Sequence, residues 1–298
     1  GFTICDNCNQ MPMCGIKFQK QGNTIVSVGN WKEHQQKLLC NKALATLQRL
    51  YNPNRLLYPM KRTNPKGSDD PGFVRCSWEE ALGMIAANLK AIREKYGPES
   101  VLFFCGDPKE PRPAVMRLAR HFGSWHYATE SSVACRKGSM LAEELTFGVE
   151  YSGGGCGLKT KSYLVIATNG AWSKPHGWLN GVRAAKKRGV KIVVVDVRRT
   201  KTAELADVHL QPRQGTDAAL AAGVCRVLFD EGLYNKEFCD KWVHGVEEYR
   251  NYCKQFTPEK TEELTGVPAN LVVEAAHIYA QGPGSFALTS QSLSHSTN

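Results

Sequence analysis

Between Val101 and Thr289, short apolar runs alternate with segments of helical spacing, and this alternation constrains the fold most. Val101–Cys105 reads as a strand, Pro113–Phe122 as a helix and Ser139–Leu145 as another helix. Tyr163–Thr168 reads as a strand, Lys174–Arg188 as a helix and Val190–Val197 as a strand. Asp217–Glu231 and Pro268–Gln281 are helical in spacing, and Ser285–Thr289 is a last strand. Strands this apolar need cover on both faces, and crossover helices supply it. The pattern predicts an α/β protein with a doubly wound, mostly parallel sheet. With 298 residues, 42% hydrophobic and 22% charged, the chain has room for roughly two domains and is unlike a disordered polymer.

Ahead of this region the composition shifts. Residues 1–60 are rich in Cys, Asn, Gln and Gly, with a strand candidate at Asn23–Val28. Pro59 to Gly72 reads as a linker. Ser77-Trp78-Glu79-Glu80 then opens a helix: the Ser77 hydroxyl can cap free amides, Glu80 follows three residues on, and apolar spacing runs to Tyr96. Gly97-Pro98 stops it.

Four of the eleven cysteines crowd the front, as Cys5-x2-Cys8-x5-Cys14-x25-Cys40. An odd total with a front cluster points to metal before disulfides. A close pair, a third Cys and a distant fourth can converge on one tetrahedral set of thiolates, which suits zinc or an iron–sulfur cubane. A second CxxC or a His pair, usual in structural zinc sites, is missing, so the spacing leans to iron–sulfur. Several other cysteines lie in apolar stretches, where a buried inert thiol is the plain reading.

A second constellation spans Tyr163–Asp217. One strand runs into Asn169-Gly170-Ala171-Trp172-Ser173, and the next ends in Asp196. The crevice outside such strand ends holds a nucleotide, whose ribose hydroxyls a carboxylate at the second strand tip can take. Asp196 fits that role, or that of a simple strand-end cap. Arg198, Arg199 and Thr200 can meet phosphates, and Gly215-Thr216-Asp217 opens a helix whose amides suit an anion. Gly153-Gly154-Gly155-Cys156-Gly157 precedes a strand instead of following one, so the dinucleotide fingerprint is absent and an ordinary nicotinamide enzyme is disfavoured. Cys135 sits in a polar loop before a helix, flanked by Arg136 and Lys137; both features lower a thiol pKa and favour a nucleophile or a metal ligand.

The formal charge of +10 comes from 38 Lys and Arg against 28 Asp and Glu. Lys186-Lys187-Arg188 reads as the solvated end of a helix, and no basic stripe with stacking aromatics or groove-reading motif marks a nucleic-acid binder. The longest apolar runs fall far short of the ~18 residues of a membrane span. The chain opens at Gly1 without a leader, so the expectation is a processed or excerpted polypeptide, with cytoplasmic and exported locations both open.

Together these residues resemble the amino-terminal part of a molybdopterin oxidoreductase of the dimethyl-sulfoxide-reductase type. The front cysteines with Cys40-Asn41-Lys42 resemble that family's 4Fe–4S motif, and Tyr51–Arg62 followed by Ser77–Leu82 resembles its next signature. Asp196–Thr200, Ala206-Asp207 and Gly215–Leu220 resemble its pterin–nucleotide segment. The resemblance implies an iron–sulfur domain over 1–60, an α/β segment over 61–128 and a Rossmann-like pterin-nucleotide domain over 129–298. It implies molybdenum or tungsten held by bis-molybdopterin guanine dinucleotide, with a 4Fe–4S cluster on Cys5, Cys8, Cys14 and Cys40. By the same resemblance Cys135 is the protein ligand to the metal, and Lys42 lies between cluster and pterin. Asn169, Asp196, Arg198, Thr200, Gly215, Thr216 and Asp217 then belong to the nucleotide site, and Arg136 and His176 to the substrate approach.

Three departures accompany the likeness. The second cluster gap is five residues where three is usual. The chain stops inside a stretch, Gln291–Asn298, that in the family leads into a pterin-contacting helix; the expectation is a fragment or one piece of a split enzyme, its carboxy-terminal half elsewhere. Formate dehydrogenases usually carry His after the metal ligand, where Arg136 stands, and the non-redox acetylene hydratase branch carries Asp after the second cluster Cys, where Asn9 stands. The expected work is therefore electron or oxygen-atom transfer to a small oxyanion or sulfur compound, with an iron–sulfur or other electron-transfer subunit as partner. A hydratase, a formate dehydrogenase or a zinc-stabilised scaffold are the alternatives.

Overall fold

The computed structural model describes residues 1–298 apart from 6, 8–13, 37, 107–110, 131–134, 136, 150–158, 174–176, 283 and 296–298. The chain clusters into two compact units. One comprises Gly1–Thr3, Ile16–Gly29 and Asn41–Lys137, the other Ile4–Gly15, Asn30–Cys40 and Gly138–Asn298.

Strands β1 (Phe2–Ile4), β2 (Gly15–Gln21) and β3 (Thr24–Asn30) pair in that order, and short helices α1 (Asn41–Leu44) and α2 (Thr46–Leu50) follow. β4 (Met60–Arg62) and β5 (Phe73–Arg75) then pair antiparallel, Lys61 opposite Val74. This corrects the linker expected over Pro59–Gly72. Its start is a strand, and its excursion is tied by Asn64 Nδ2 to the Asp70 carbonyl at 3.1 Å and by Gly72 N–H to Asp70 Oδ1 at 2.8 Å. Pro, Gly and Asp mark a hairpin loop as readily as a linker, and only the pairing partner separates the two.

Helix α3 (Trp78–Tyr96) starts where its cap predicts, with Ser77 Oγ accepting the Glu80 N–H at 3.1 Å, and Gly97 ends it. β6 (Phe103–Cys105), α4 (Arg112–Phe122) and β7 (Tyr127–Thr129) form a β–α–β crossover whose two strands run parallel. α5 (Lys137–Phe147) follows.

The second unit is built on β8 (Ser162–Ile166), β9 (Lys191–Val195), β10 (Val208–Leu210) and β11 (Phe286–Leu288). They form one wholly parallel sheet in the order β10-β9-β8-β11. Between them lie α6 (Gly170–Ser173), α7 (Gly177–Lys187), α8 (Asp217–Asp230), α9 (Lys236–Trp242), α10 (Val246–Cys253), α11 (Pro258–Thr265) and α12 (Ala269–Tyr279). Strand side chains alternate between faces. Tyr163, Val165, Ile192 and Val194 pack with Val182 and Ala185 of α7. Val193, Val195 and Leu210 pack with Leu220 of α8 and with Val272 and Ala276 of α12. Each fully buried Leu or Ile contributes about 1.5–3 kcal/mol, so both faces need their helices.

Spacing alone does not show β7, β10, α6, α9, α10 or α11. Each is short, and three to eight residues show little periodicity. Their caps were present: Asn235 Oδ1 accepts the Phe238 N–H and Thr257 Oγ1 accepts the Lys260 N–H.

Candidate functional site

In a parallel sheet every carboxyl end lies on one edge. The chain leaves β8 for β9 and β10 on one side, then returns to pair β11 on the other. That reversal opens a crevice between the loops after β8 and β11, the place where such sheets bind ligands. Ala167, directly after β8, is the one non-glycine residue at positive φ (55°) among the described residues. Its N–H donates to Val195 O at 2.8 Å, and its carbonyl accepts the Ser292 hydroxyl at 3.2 Å, so both neighbouring strand ends hold the strained turn.

The next turn is locked from below. Thr202, fully buried, donates its hydroxyl to Asn169 Oδ1 at 3.0 Å and accepts the Ala171 N–H at 3.1 Å. The Asn169 carbonyl accepts the N–H groups of Trp172 and Ser173, both at 3.0 Å, which starts α6. A Cβ on Gly170 would lie 2.4 Å from the Trp178 ring, so only glycine lets the indole close over this turn. Trp172 stays exposed at the rim with the Lys201 ammonium 5.3 Å above its ring. Neither Trp172 nor Thr202 stood out from the sequence, because their roles depend on loops some thirty residues apart.

Asp196 follows β9 directly. Its Oδ1 accepts the Arg198 N–H at 2.9 Å, and its carbonyl meets His209 Nε2 at 3.0 Å. Arg198 and Arg199 are exposed. Thr200 is buried, and its hydroxyl accepts the Ala203 N–H at 3.2 Å. Gly215 takes φ 83°, and Thr216 donates its hydroxyl to the Arg213 carbonyl at 2.7 Å instead of capping α8. The first amides of α8 therefore lack a side-chain cap, and Asp217 begins the helix. Beside the tips of β9 and β10 lies a 530 Å³ cleft lined by Val197, His209, Gln211, Arg213, Gly266 and Leu271. Arg213 is committed to the end of α11, with Nη1 donating to the Glu263 carbonyl at 2.7 Å. Asp207, of the Ala206-Asp207 pair, accepts the Ile192 N–H at 2.8 Å and faces Lys186 and Lys191 at 3.5 and 3.7 Å, which ties down the start of β9.

Cys5, Cys14 and Cys40, each half-buried and in no disulfide, lie in the second unit. Cys5 N–H donates to the Cys14 carbonyl at 2.9 Å, while Gly15 N–H donates to Gln36 O at 2.9 Å and so joins the two loops that carry them. A Cβ at Gly15 would fall 2.5 Å from His34, so glycine beside Cys14 lets that side chain pack on the backbone. An all-thiol donor set fits an iron–sulfur cubane as it fits zinc. Among the described residues, no three His, Cys, Asp or Glu side chains stand together as a metal site. Cys8 and Asn9, as well as Arg136 and His176, lie outside the described residues.

In the first unit, Cys135 is half-buried and in no disulfide, and Lys42 is exposed on α1. Glu130, at the end of β7, accepts two bonds from Arg112 Nη2, each 2.6 Å, at the start of α4. This charge pair fixes the chain five residues before Cys135. No helix among the described residues is long and apolar enough to cross a membrane.

A family model described as molybdopterin oxidoreductase matches residues 55–294. The probable oxidoreductase YoaE of Bacillus subtilis is 30% identical over 297 residues, covering 96% of this chain and 42% of YoaE. The acetylene hydratase of Syntrophotalea acetylenica is 34% identical over 247 residues, 81% of this chain and 33% of the hydratase. The solved acetylene hydratase from Pelobacter acetylenicus superposes with a TM-score of 0.78 at 28% identity, over 97% of this chain and 40% of that one. The chain thus spans less than half the length of these relatives.

Proposed function

The chain belongs to the molybdopterin oxidoreductase family, and on that premise we propose that it is the amino-terminal part of the catalytic subunit of a molybdenum or tungsten bis-pterin enzyme. In this reading it passes electrons between a 4Fe–4S cluster and a small oxyanion or sulfur compound. One observation supports it: in the stretch that resembles the family's nucleotide segment, Asp196 follows β9 directly with Oδ1 on the Arg198 N–H, and α8 starts without a side-chain cap.

Asp196, turned by the Arg198 N–H, takes the ribose hydroxyls of one guanosine. Arg198 faces phosphate, and the amides after Gly215 and Thr216 receive an anion. Asn169 and Thr200 act through their loops, because Asn169 Oδ1 and the Thr200 hydroxyl already hold protein partners. Cys135 ligates the metal, five residues along the chain from the Arg112–Glu130 pair. Cys5, Cys8, Cys14 and Cys40 hold the cluster, with Lys42 as the cation beside it, and Arg136 and His176 line the substrate approach. When bound, the metal supplies two-electron chemistry and the cluster a one-electron relay. An electron-transfer subunit would serve the cluster.

The likeness to acetylene hydratase, in sequence and in structure, supports a second, non-redox reading with the same cofactors. Against it, Asn9 lacks the titratable proton of a general acid. Turnover without any added electron acceptor would single that reading out.

The test is elemental analysis and an absorption spectrum of protein purified without oxygen. About four irons per chain and a broad band bleached by dithionite are expected, with Cys14→Ser and Cys40→Ser both lowering the iron. One zinc and no iron would remove the redox reading and promote a zinc-stabilised scaffold.

A further inference from the structure

Two cysteines that neither the metal reading nor the nucleotide segment uses meet between α8 and α10, both in the second unit. Cys253 of α10 is fully buried in a small apolar cluster with Ala222 of α8 and Phe256. Cys225, one turn beyond Ala222, is half-buried and packs against that cluster. The residues next in sequence show how close the helices come: Arg226 Nη1 donates to the Lys254 carbonyl at 2.9 Å. Small side chains allow the approach, since Ala219 and Ala222 face the cluster and helix separation follows the size of the contact residues. Tyr249, one turn before Cys253, hydrogen-bonds through its hydroxyl with both thiols, so the two sulfurs share one oxygen. Its ring meets Phe229 edge-on at 6.2 Å and stacks with Tyr252 at 6.1 Å.

Sulfur chemistry separates this pair from a lone buried thiol. Disulfide exchange needs one thiol that a reagent can reach and a second near enough to displace the mixed product. Half-buried Cys225 meets the first need and enclosed Cys253 the second. A disulfide carries no charge and no S–H donor, so it suits an apolar cluster at least as well as two thiols do. A soft metal ion on two thiolates is the competing use of such a pair. It would bring charge into the cluster, where burial pushes both thiols up toward their neutral form.

We propose that Cys225 and Cys253 form a disulfide-exchange pair, a modification site that small-molecule disulfides close and dithiols reopen. The Cys225 sulfur attacks a disulfide RSSR, which forms a mixed disulfide and releases one RSH. The Cys253 sulfur then displaces the second RSH. Two protein thiols are oxidised to one S–S bond, one RSSR is reduced to two RSH, and the two thiol protons leave with the RSH. The new bond staples α10 to α8 and deprives the Tyr249 hydroxyl of both thiol partners. The inference is independent of which metal or cluster the protein holds.

Peptide mapping tests it. The native holoprotein, kept from oxygen, is equilibrated with oxidised and reduced glutathione, quenched in acid and alkylated. Mass spectrometry is expected to find the Cys225 and Cys253 peptides joined, and the link reversed by dithiothreitol. Links from either to Cys239 of α9, which is half-buried, should be at least ten-fold rarer. In Cys253→Ser, glutathione should instead stay on Cys225. N-acetylimidazole, which acetylates accessible tyrosine hydroxyls, gives a second readout in the unaltered protein. Acetylation of Tyr249 relative to Tyr252 should rise about ten-fold on oxidation, the effect of a one-unit fall in the raised value of that phenol. Thiols left unlinked at every glutathione ratio, glutathione retained on Cys225 of the unaltered protein, or joined peptides only after unfolding in urea would each overturn the proposal. So would equally frequent links to Cys239, a Cys253→Ser variant without glutathione on Cys225, or an unchanged acetylation ratio.

Discussion

Exchanging one hydroxyl for a methyl at Thr202 isolates the loop that follows β8. Thr202→Val keeps the shape of the side chain but leaves the Ala171 N–H and Asn169 Oδ1 without their shared partner. A stranded buried polar group costs about 1–3 kcal/mol, so denaturant unfolding should show a loss of that size, and Thr202→Ser should restore it. If the loop also positions the nucleotide, GMP affinity should fall with Thr202→Val while the parallel sheet stays intact by circular dichroism. Asp196 was legible in the sequence, because an acid at the tip of an apolar strand is an unusual place for charge. Thr202 was not, since Thr is common and its partners lie 31 and 33 residues away.

Elements meet through groups that the sequence leaves unpaired. Cys225 of α8 and Cys253 of α10 lie in one apolar cluster, and the Tyr249 hydroxyl hydrogen-bonds with both thiols. Burial is the main cause that pushes Tyr249 and both thiols upward from their ordinary values. Raised acids of this kind favour the neutral form in the folded chain. Their stabilisation is complete below the usual thiol value near 9.0 and is lost as pH rises through the raised values. Melting temperature should therefore be level from about pH 6 to 8 and fall above about 9, with a shallower fall for Tyr249→Phe. A profile equally steep in that variant would place the alkaline transition elsewhere. The sequence marked Cys225 as one thiol in an apolar stretch, and its pairing with Tyr249 awaited the packing of α8 on α10. The Ser77 cap, by contrast, is local chemistry and placed the start of α3 directly.

At the scale of the molecule the two units differ in what they bury. The second unit packs apolar clusters on both faces of its parallel sheet. The first buries little more than Ile16, Ala43, Cys76, Phe103, Cys105 and Ala119 among its described apolar residues. Local stability follows buried apolar contact. Amide hydrogens of β8 and β9 should exchange at least 100-fold more slowly than those of α3 in the isolated chain. Equal protection would mean that α3 is already covered.

The alternation of apolar strands and helices determined the α/β class and the parallel sheet, because both faces of such strands need cover and only crossover helices provide it. The signatures of the pterin–nucleotide segment determined the family, since they are local in sequence. Tertiary structure decided the strand order, and with it the position of the crevice between β8 and β11. It committed Asn169 Oδ1 and the Thr200 hydroxyl to protein partners, and it left α3 without a buried residue. Local spacing fixes which faces are apolar. What lies against each face depends on chain distant in sequence, and only the folded molecule brings that chain near.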